Sequence, residues 1–196
     1  MQQHPASPST GPAPGSPGGE VVALVDRSGA VVGRAERSVV RRDNLLHAAT
    51  AVLVRDPVGR IYVHRRSPDK DWAPSHHDAA AGGVLQDGEE PAASARRELA
   101  EELGISGVPL EPLGLSVYED QTTRCVEHCF EAVWDGPVVH ADGEVVWGAW
   151  LTLAELDERL ADPDWPFVPD TRALLRRLAT DGTRDYAALE RLRGEP

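Results

Sequence analysis

Cysteine is scarce in this chain: Cys125 and Cys129 are the two among 196 residues. That excludes a disulfide framework as the source of stability, since such frameworks take several cysteine pairs. Long apolar runs are missing as well, and none approaches the roughly 20 residues that span a bilayer. Residues 1–20 are rich in Pro, Gly and Ser and lack the apolar centre of a signal peptide. They are expected as a disordered tail, and the protein as a cytoplasmic one with no membrane contact. Basic charge is in deficit: 20 Lys and Arg stand against 32 Asp and Glu, for a formal net charge of -12. So acidic a chain has no general attraction for a nucleic-acid polymer or an anionic membrane. A small anion is admissible as a partner where metal ions or a local basic cluster offset the field.

What is present suits one globular domain over residues 21–180, followed by a C-terminal helical extension over 181–196. Residues 21–25 read as a strand, and 30–33 as its return after Arg27-Ser28-Gly29. The apolar run 47–55 and the run 61–66 flank Asp56-Pro57-Val58-Gly59, a strong turn signal, and so predict a hairpin. Residues 89–103 give the clearest helix, with Pro91 near its first turn and Gly104 past its end. Strands are expected over 123–134 and 144–150, and helices over 153–160, 171–178 and 186–192. No internal repeat is visible. This mixed order predicts an α+β protein, an α/β/α sandwich whose sheet is largely antiparallel.

On the 89–103 helix, Glu98, Glu101 and Glu102 fall within one arc of roughly 100°. Ala92, Ala95, Leu99 and Leu103 form the neighbouring apolar stripe, which should face the core. Three carboxylates on one face repel one another and need compensation. Arg96 and Arg97 offset part of the charge, and a hard cation such as Mg²⁺, which takes carboxylate and phosphate oxygens, can offset the rest. A solvated acidic face is the plain alternative for any such helix taken alone.

The longer pattern decides between them. It runs Gly83, five residues, Glu89, seven residues, then Arg97-Glu98-Leu99-Ala100-Glu101-Glu102-Leu103-Gly104-Ile105. This resembles the Nudix box at every fixed position. The resemblance implies a loop–helix–loop on the Nudix fold and an enzyme that cleaves a diphosphate bond. Its substrate would be a small nucleoside diphosphate-linked or related compound. The cofactor would be Mg²⁺, with Mn²⁺ as a substitute, activating water for attack at phosphorus. Glu98 and Glu102 would hold the metal, with Glu101 as a further ligand or the holder of the water. The Gly83 carbonyl is a further candidate ligand. Glu89 and Arg97 would brace the loop, and Gly104 would close the helix. Glu144 is the favoured downstream acid, with Glu119, Asp120 and Glu127 as competitors.

Beyond the box, the chain resembles the branch that contains type I isopentenyl-diphosphate isomerase and its hydrolase relatives. Val25-Asp26, Leu46-His47, Arg65-Arg66, Lys70 with Trp72, Gly82-Gly83 and Asp164-Trp165-Pro166-Phe167 carry that likeness. The isomerase moves a double bond by proton transfer. Its cysteine before the box falls at Ala81, and its metal-binding histidines fall at His47, Val40 and Gly83, of which His47 alone retains the side chain. Its basic residue falls at Glu98. These differences favour hydrolysis. Arg66 and Lys70 match positions that hold the diphosphate, and they supply the basic cluster that the net charge calls for.

Other constellations are weaker. Cys125-x₃-Cys129 with His128 between them lacks the four ligands of structural zinc. Ser75-His76-His77-Asp78 holds triad residue types, but contiguous residues rarely converge as a triad does. Trp165 is a pocket wall or a packing anchor. Some Nudix-fold proteins bind ligands without chemistry and lose box carboxylates, all of which are kept here. The group attached to the diphosphate stays open: nucleoside di- or triphosphates, nucleotide sugars, dinucleotides, and isoprenoid or thiamine diphosphates. A homodimer is compatible with the sequence without being specified by it.

Overall fold

Nine strands join one mixed sheet in the computed structural model, which describes residues 19–140 and 143–194. The expected tail lies, apart from Gly19 and Glu20, outside those residues. Strands β1 (Val21–Val25) and β2 (Val31–Glu36) form a hairpin. Its turn is held by the Asp26 carboxylate, which accepts from the Ser28 and Ala30 N–H groups. A short helix, α1 (Arg37–Asp43), follows; it buries Val40 alone and gave no periodic signal. Strand β3 (His47–Arg55) is buried along all nine residues. It turns through Asp56 into β4 (Ile61–Arg66), as the turn signal predicts.

Two short strands, β5 (His77–Asp78) and β6 (Ala80–Ala81), lead to helix α2 (Pro91–Leu103). Then come β7 (Glu111–Glu119), β8 (Arg124–Val133) and β9 (Val145–Leu151). Helix α3 (Leu153–Leu160) starts at a capping box, Thr152 with Glu155, in which each residue satisfies the other's backbone N–H. Helix α4 (Pro169–Thr180) precedes a 3-10 turn at Tyr186–Ala188 and a last short helix, α5 (Glu190–Arg193). No helix among the described residues is long and apolar enough to cross a membrane.

Strand β3 is the hub. Along one side it runs parallel to β8, with His47 opposite Cys125 and Arg55 opposite Val133. Along the other it meets β1 at His47, the box loop at Ala49, β6 at Val52 and Leu53, and β4 at Arg55. The remaining strand pairings are antiparallel. Since β3 and β4 touch only at the Arg55–Ile61 pair, they diverge from there, and β4 turns to β5 and β9. The gap between them is where the site forms.

Alternation along β3 builds two cores. Val52 and Val54 pack with Ala95, Leu99 and Leu103 of α2 and with Ile105 on one face. Ala51 and Leu53 pack on the other with Leu156, Leu160, Leu174, Leu175 and Leu178 of α3 and α4. Each fully buried leucine contributes about 2 kcal/mol. Tyr186, Leu189 and Leu192, from the segment expected as an extension, belong to this second core and are fully buried. The layers are therefore helix, sheet, helix: the α/β/α sandwich.

Candidate active site

Helix α2 places the carboxylates. Pro91 fits its first turn, and Gly104 ends it in the left-handed region (φ 67°), donating its N–H back to the Ala100 carbonyl. With Ala95, Leu99 and Leu103 anchored in the core, the adjacent face turns Glu98 and Glu101 into a cleft of about 1710 Å³. Lys70, Glu144, Gly82, Gly83, Arg66 and Glu127 also line that cleft. Glu102 lies deeper, 2 % exposed, behind the lining residues Lys70 and Gly82.

Two adjacent glycines let the box loop press on its neighbours. A Cβ on Gly82 would lie 1.9 Å from the Thr50 carbonyl oxygen, so only glycine fits against β3. The Gly82 N–H donates to Glu102 Oε2 (3.3 Å). A Cβ on Gly83 would lie 2.6 Å from Glu98 Oε1, so the Glu98 carboxylate occupies the space a side chain would fill. The Gly83 carbonyl, a candidate ligand from sequence, accepts from the Thr50 N–H at 2.9 Å. The box-to-β3 pairing takes one lone pair of that oxygen and leaves the other, and the missing side chain of Gly83 gives Glu98 its room.

Arg97 organises the carboxylates from outside. It donates Nε and Nη2 to the two oxygens of Glu89 (3.1 and 3.2 Å), and Nη1 to Glu98 Oε1 (2.7 Å) and Glu101 Oε2 (3.2 Å). These contacts raise its own pKa, the Glu89 pair most of all. Glu89 also accepts from the Gln86 N–H, fixing the loop to the helix. Glu101 is about half exposed, whereas Glu98 is largely buried. Burial raises the Glu98 carboxyl and pushes Glu102 up to about 8; Lys70 opposes the Glu102 shift and Glu98 adds to it.

Lys70 spans the gap. Its ammonium lies 3.5 Å from Glu102 Oε1 and is hydrogen-bonded to Glu144, which is about half exposed at the cleft rim. Arg66 sits behind it, donating to the Trp72 carbonyl (3.2 Å), with Asp78 at 3.6 Å and the Trp72 ring 5.9 Å below its guanidinium. The residues present fit a hard divalent cation. Two largely buried carboxylates one helical turn apart and a third beside them form an all-oxygen donor set, which the Lys70 ammonium and the Arg97 guanidinium neutralise only in part.

Of the competing downstream acids, Glu119 is tied to Arg27 and Arg124, and Asp120 caps the β7–β8 turn by accepting from the Thr122 and Thr123 N–H groups. Both serve the turn. Glu127 faces the cleft floor with Cys125, while Cys129 is in the second core and His128 points to the opposite face of β8. The residues Ser75 to Asp78 do not converge: the His76 and His77 rings contact the Pro74 and Pro166 carbonyls, and Asp78 accepts from the Ala80 N–H and the Thr171 hydroxyl. Trp165 is an anchor, stacked on His77 (4.2 Å between centroids) and on Phe167. Sequence reasoning missed Asp78, Asp170 and Arg41 as cleft residues. Their convergence is tertiary, and local spacing carries no sign of it.

Comparison with known proteins agrees with this geometry. The family model described as NUDIX domain matches residues 45–171. An uncharacterized Nudix hydrolase of Rhodococcus erythropolis is 46% identical over 170 residues, covering 82% of this chain and 92% of that protein. The Nudix hydrolase YfcD of Salmonella typhi is 39% identical over 171 residues, covering 87% and 91%. Among solved structures, DR0079 from Deinococcus radiodurans superposes with a TM-score of 0.69 at 27% identity, over 81% of this chain and 98% of that one. Box, sandwich and relatives converge on one assignment: the chain belongs to the Nudix family and is a hydrolase of diphosphate-containing compounds.

Proposed function

We propose that the protein is a Mg²⁺-dependent diphosphate hydrolase of small, nucleoside diphosphate-linked or related substrates. The observation that carries this reading is Glu102, a fully buried carboxyl beside Glu98 whose nearest cationic group is the Lys70 ammonium. Magnesium, with manganese as substitute, supplies neutralisation of phosphate oxygens and acidification of the attacking water. Glu98 and Glu102 hold it. Glu101, half exposed, orients the water or adds a ligand. Glu89 and Arg97 keep the loop against the helix, and Gly104 ends that helix on the box. Arg66 and Lys70 take the diphosphate, the first by a planar fork and the second as a point charge. Glu144 shares Lys70 with Glu102 and is the acid outside the box best placed to accept a proton. The free thiols of Cys125 and Cys129 accord with the cytoplasm, where thiols stay reduced.

The chain's likeness to the isopentenyl-diphosphate isomerase branch belongs to this reading as a likeness of scaffold. Isomerisation needs an acid at Ala81, and that side chain is buried in the α2 core, 1 % exposed. The test is a panel of nucleoside di- and triphosphates, nucleotide sugars, dinucleotides, and isoprenoid and thiamine diphosphates, assayed with Mg²⁺ and with chelator. Metal-dependent cleavage of a diphosphate bond is expected, with the products locating the bond. Double-bond movement without phosphate release, or cleavage that survives chelation, would overturn the proposal.

The two glycines should fail differently. In Gly82→Ala the new Cβ meets backbone atoms of Thr50 that cannot rotate away, so a loss of about 3 kcal/mol of stability is expected. In Gly83→Ala the contact is the end of the Glu98 side chain, which can move. That variant should fold to within about 1 kcal/mol of wild type and lose activity about tenfold or more through a displaced ligand. Denaturant melts and turnover measured side by side check this. Equal stability of the two variants would show that the Thr50 contact is not the rigid one.

A further inference from the structure

The floor of the same cleft carries a second group of ligand atoms, of different chemistry. Cys125 Sγ, an oxygen of Glu127 and an oxygen of Asp170 all lie within 4.8 Å of one another. Cys125 and Glu127 are two residues apart on β8 and so share a face of the sheet, while Asp170 comes from the first turn of α4. All three line the cleft. Cys125 is 3 % exposed and Glu127 5 %.

An acid cluster alone would be unremarked, but this one is missing a partner. Among the described residues, Glu127 Oε2 is fully buried and accepts no hydrogen bond. A buried carboxylate oxygen left bare is costly, and natural folds seldom leave one so. Its charged neighbours worsen the cost: Asp170 and Asp78 both disfavour the Glu127 carboxylate, and Arg177 opposes them more weakly. Asp78 is committed elsewhere, to the Thr171 hydroxyl and the Ala80 N–H, with Arg66 at 3.6 Å. Asp170 spends Oδ1 on the N–H of Thr171. His47 faces Cys125 in register, but its Nδ1 lies 3.0 Å from the Leu45 carbonyl and it is outside the converging set.

We propose that Cys125, Glu127 and Asp170 form a second metal site, for a divalent transition ion of the zinc type, with its fourth position open to the cleft. One thiolate with two carboxylates suits a borderline-soft ion in tetrahedral geometry, whereas the all-oxygen set of Glu98 and Glu102 suits a hard one. Three protein ligands with an open position are the pattern of a site that takes water or a substrate oxygen as its fourth ligand. Binding displaces the protons of the Cys125 thiol and the Glu127 carboxyl to solvent, leaving a thiolate and carboxylates facing the ion. The metal also takes up the bare Glu127 oxygen and the mutual repulsion of the acids in one step.

The experiment uses the full chain, stripped of metal with chelator, and Co²⁺ as the probe. Wild type and the double box variant Glu98→Gln/Glu102→Gln should both develop thiolate-to-cobalt charge-transfer absorption, saturating at one ion and abolished by Zn²⁺. Cys125→Ser should lose the absorption, Cys129→Ser should keep it, and Glu127→Gln should weaken Co²⁺ binding by about tenfold or more. A second measurement needs no variant: Zn²⁺ should slow alkylation of Cys125, located by mass spectrometry, relative to metal-free protein. Absence of the absorption in wild type at saturating Co²⁺, its persistence in Cys125→Ser, or an unchanged alkylation rate with Zn²⁺ would overturn the proposal.

Discussion

Replacing Glu102 by glutamine is expected to lower turnover with Mg²⁺ by about 10³-fold, equivalent to about 4 kcal/mol, while making the metal-free protein more stable. Both effects have one cause. The carboxyl is buried among Glu98, Asp78 and Lys70, and its pKa is pushed up to about 8 from an ordinary 4.5. Between those values the folded state binds more protons than the unfolded state, so metal-free stability falls as pH rises through that window. The slope is at most about 1.4 kcal/mol per pH unit from this one group. Glutamine has no proton to lose, yet keeps an oxygen for the Gly82 N–H. The variant's stability in chelator should therefore be flatter with pH and higher near the top of the window. Denaturant midpoints at both ends of the window, with turnover measured beside them, check the pair of effects. A variant that turns over within a few fold of wild type would remove Glu102 from the metal site.

Ending the chain at Thr180 is expected to abolish stable folding. Tyr186, Leu189 and Leu192 are all fully buried against α3, α4 and the sheet. At about 2 kcal/mol each, their loss takes about 6 kcal/mol from a total that for most domains is about 5–15 kcal/mol. The same segment neutralises two buried charges. Asp185 pairs with Arg55 (2.6 Å), the Tyr186 hydroxyl donates to Glu131 (2.7 Å), and Arg184 also bonds Glu131. Without them Arg55 and Glu131 keep each other at 3.8 Å, an incomplete substitute inside the protein. Tyr186→Phe isolates one part of this and should cost about 1.5 kcal/mol. Circular dichroism and denaturant melts of the shortened chain give the answer, and a wild-type midpoint would show that residues 181–196 are dispensable.

The box was legible because its chemistry is local. One loop and one helix fix Glu89, Arg97, Glu98, Glu101 and Glu102 in the chain order a reader sees. Strand β3 was legible because burial on both faces leaves an unbroken apolar run. Strand β7 was not, since Pro112 and Gly114 interrupt it, and it tolerates them through an irregular register against β8 near the edge of the sheet. Helix α1 hid for the opposite reason: its seven residues are mostly charged and bury only Val40, too little to make a period. The floor of the cleft was the hardest part. Asp78, Glu127 and Asp170 come from three elements far apart in sequence, and the one local hint was a carboxylate alternating with Cys125 and Cys129 on a buried strand face.

The parallel pairing of β3 with β8 also bears on how the molecule is made. On a ribosome, β3 and the whole box helix emerge while β8 is still unsynthesised, so the strand buried on both sides in the finished protein waits with one edge bare. Closing that pairing joins residues distant in sequence across an intervening helix and hairpin arm, the kind of contact that slows folding. The nascent chain is thus most exposed to misassociation between completion of α2 and arrival of β8, and chaperone dependence is expected to concentrate in that interval.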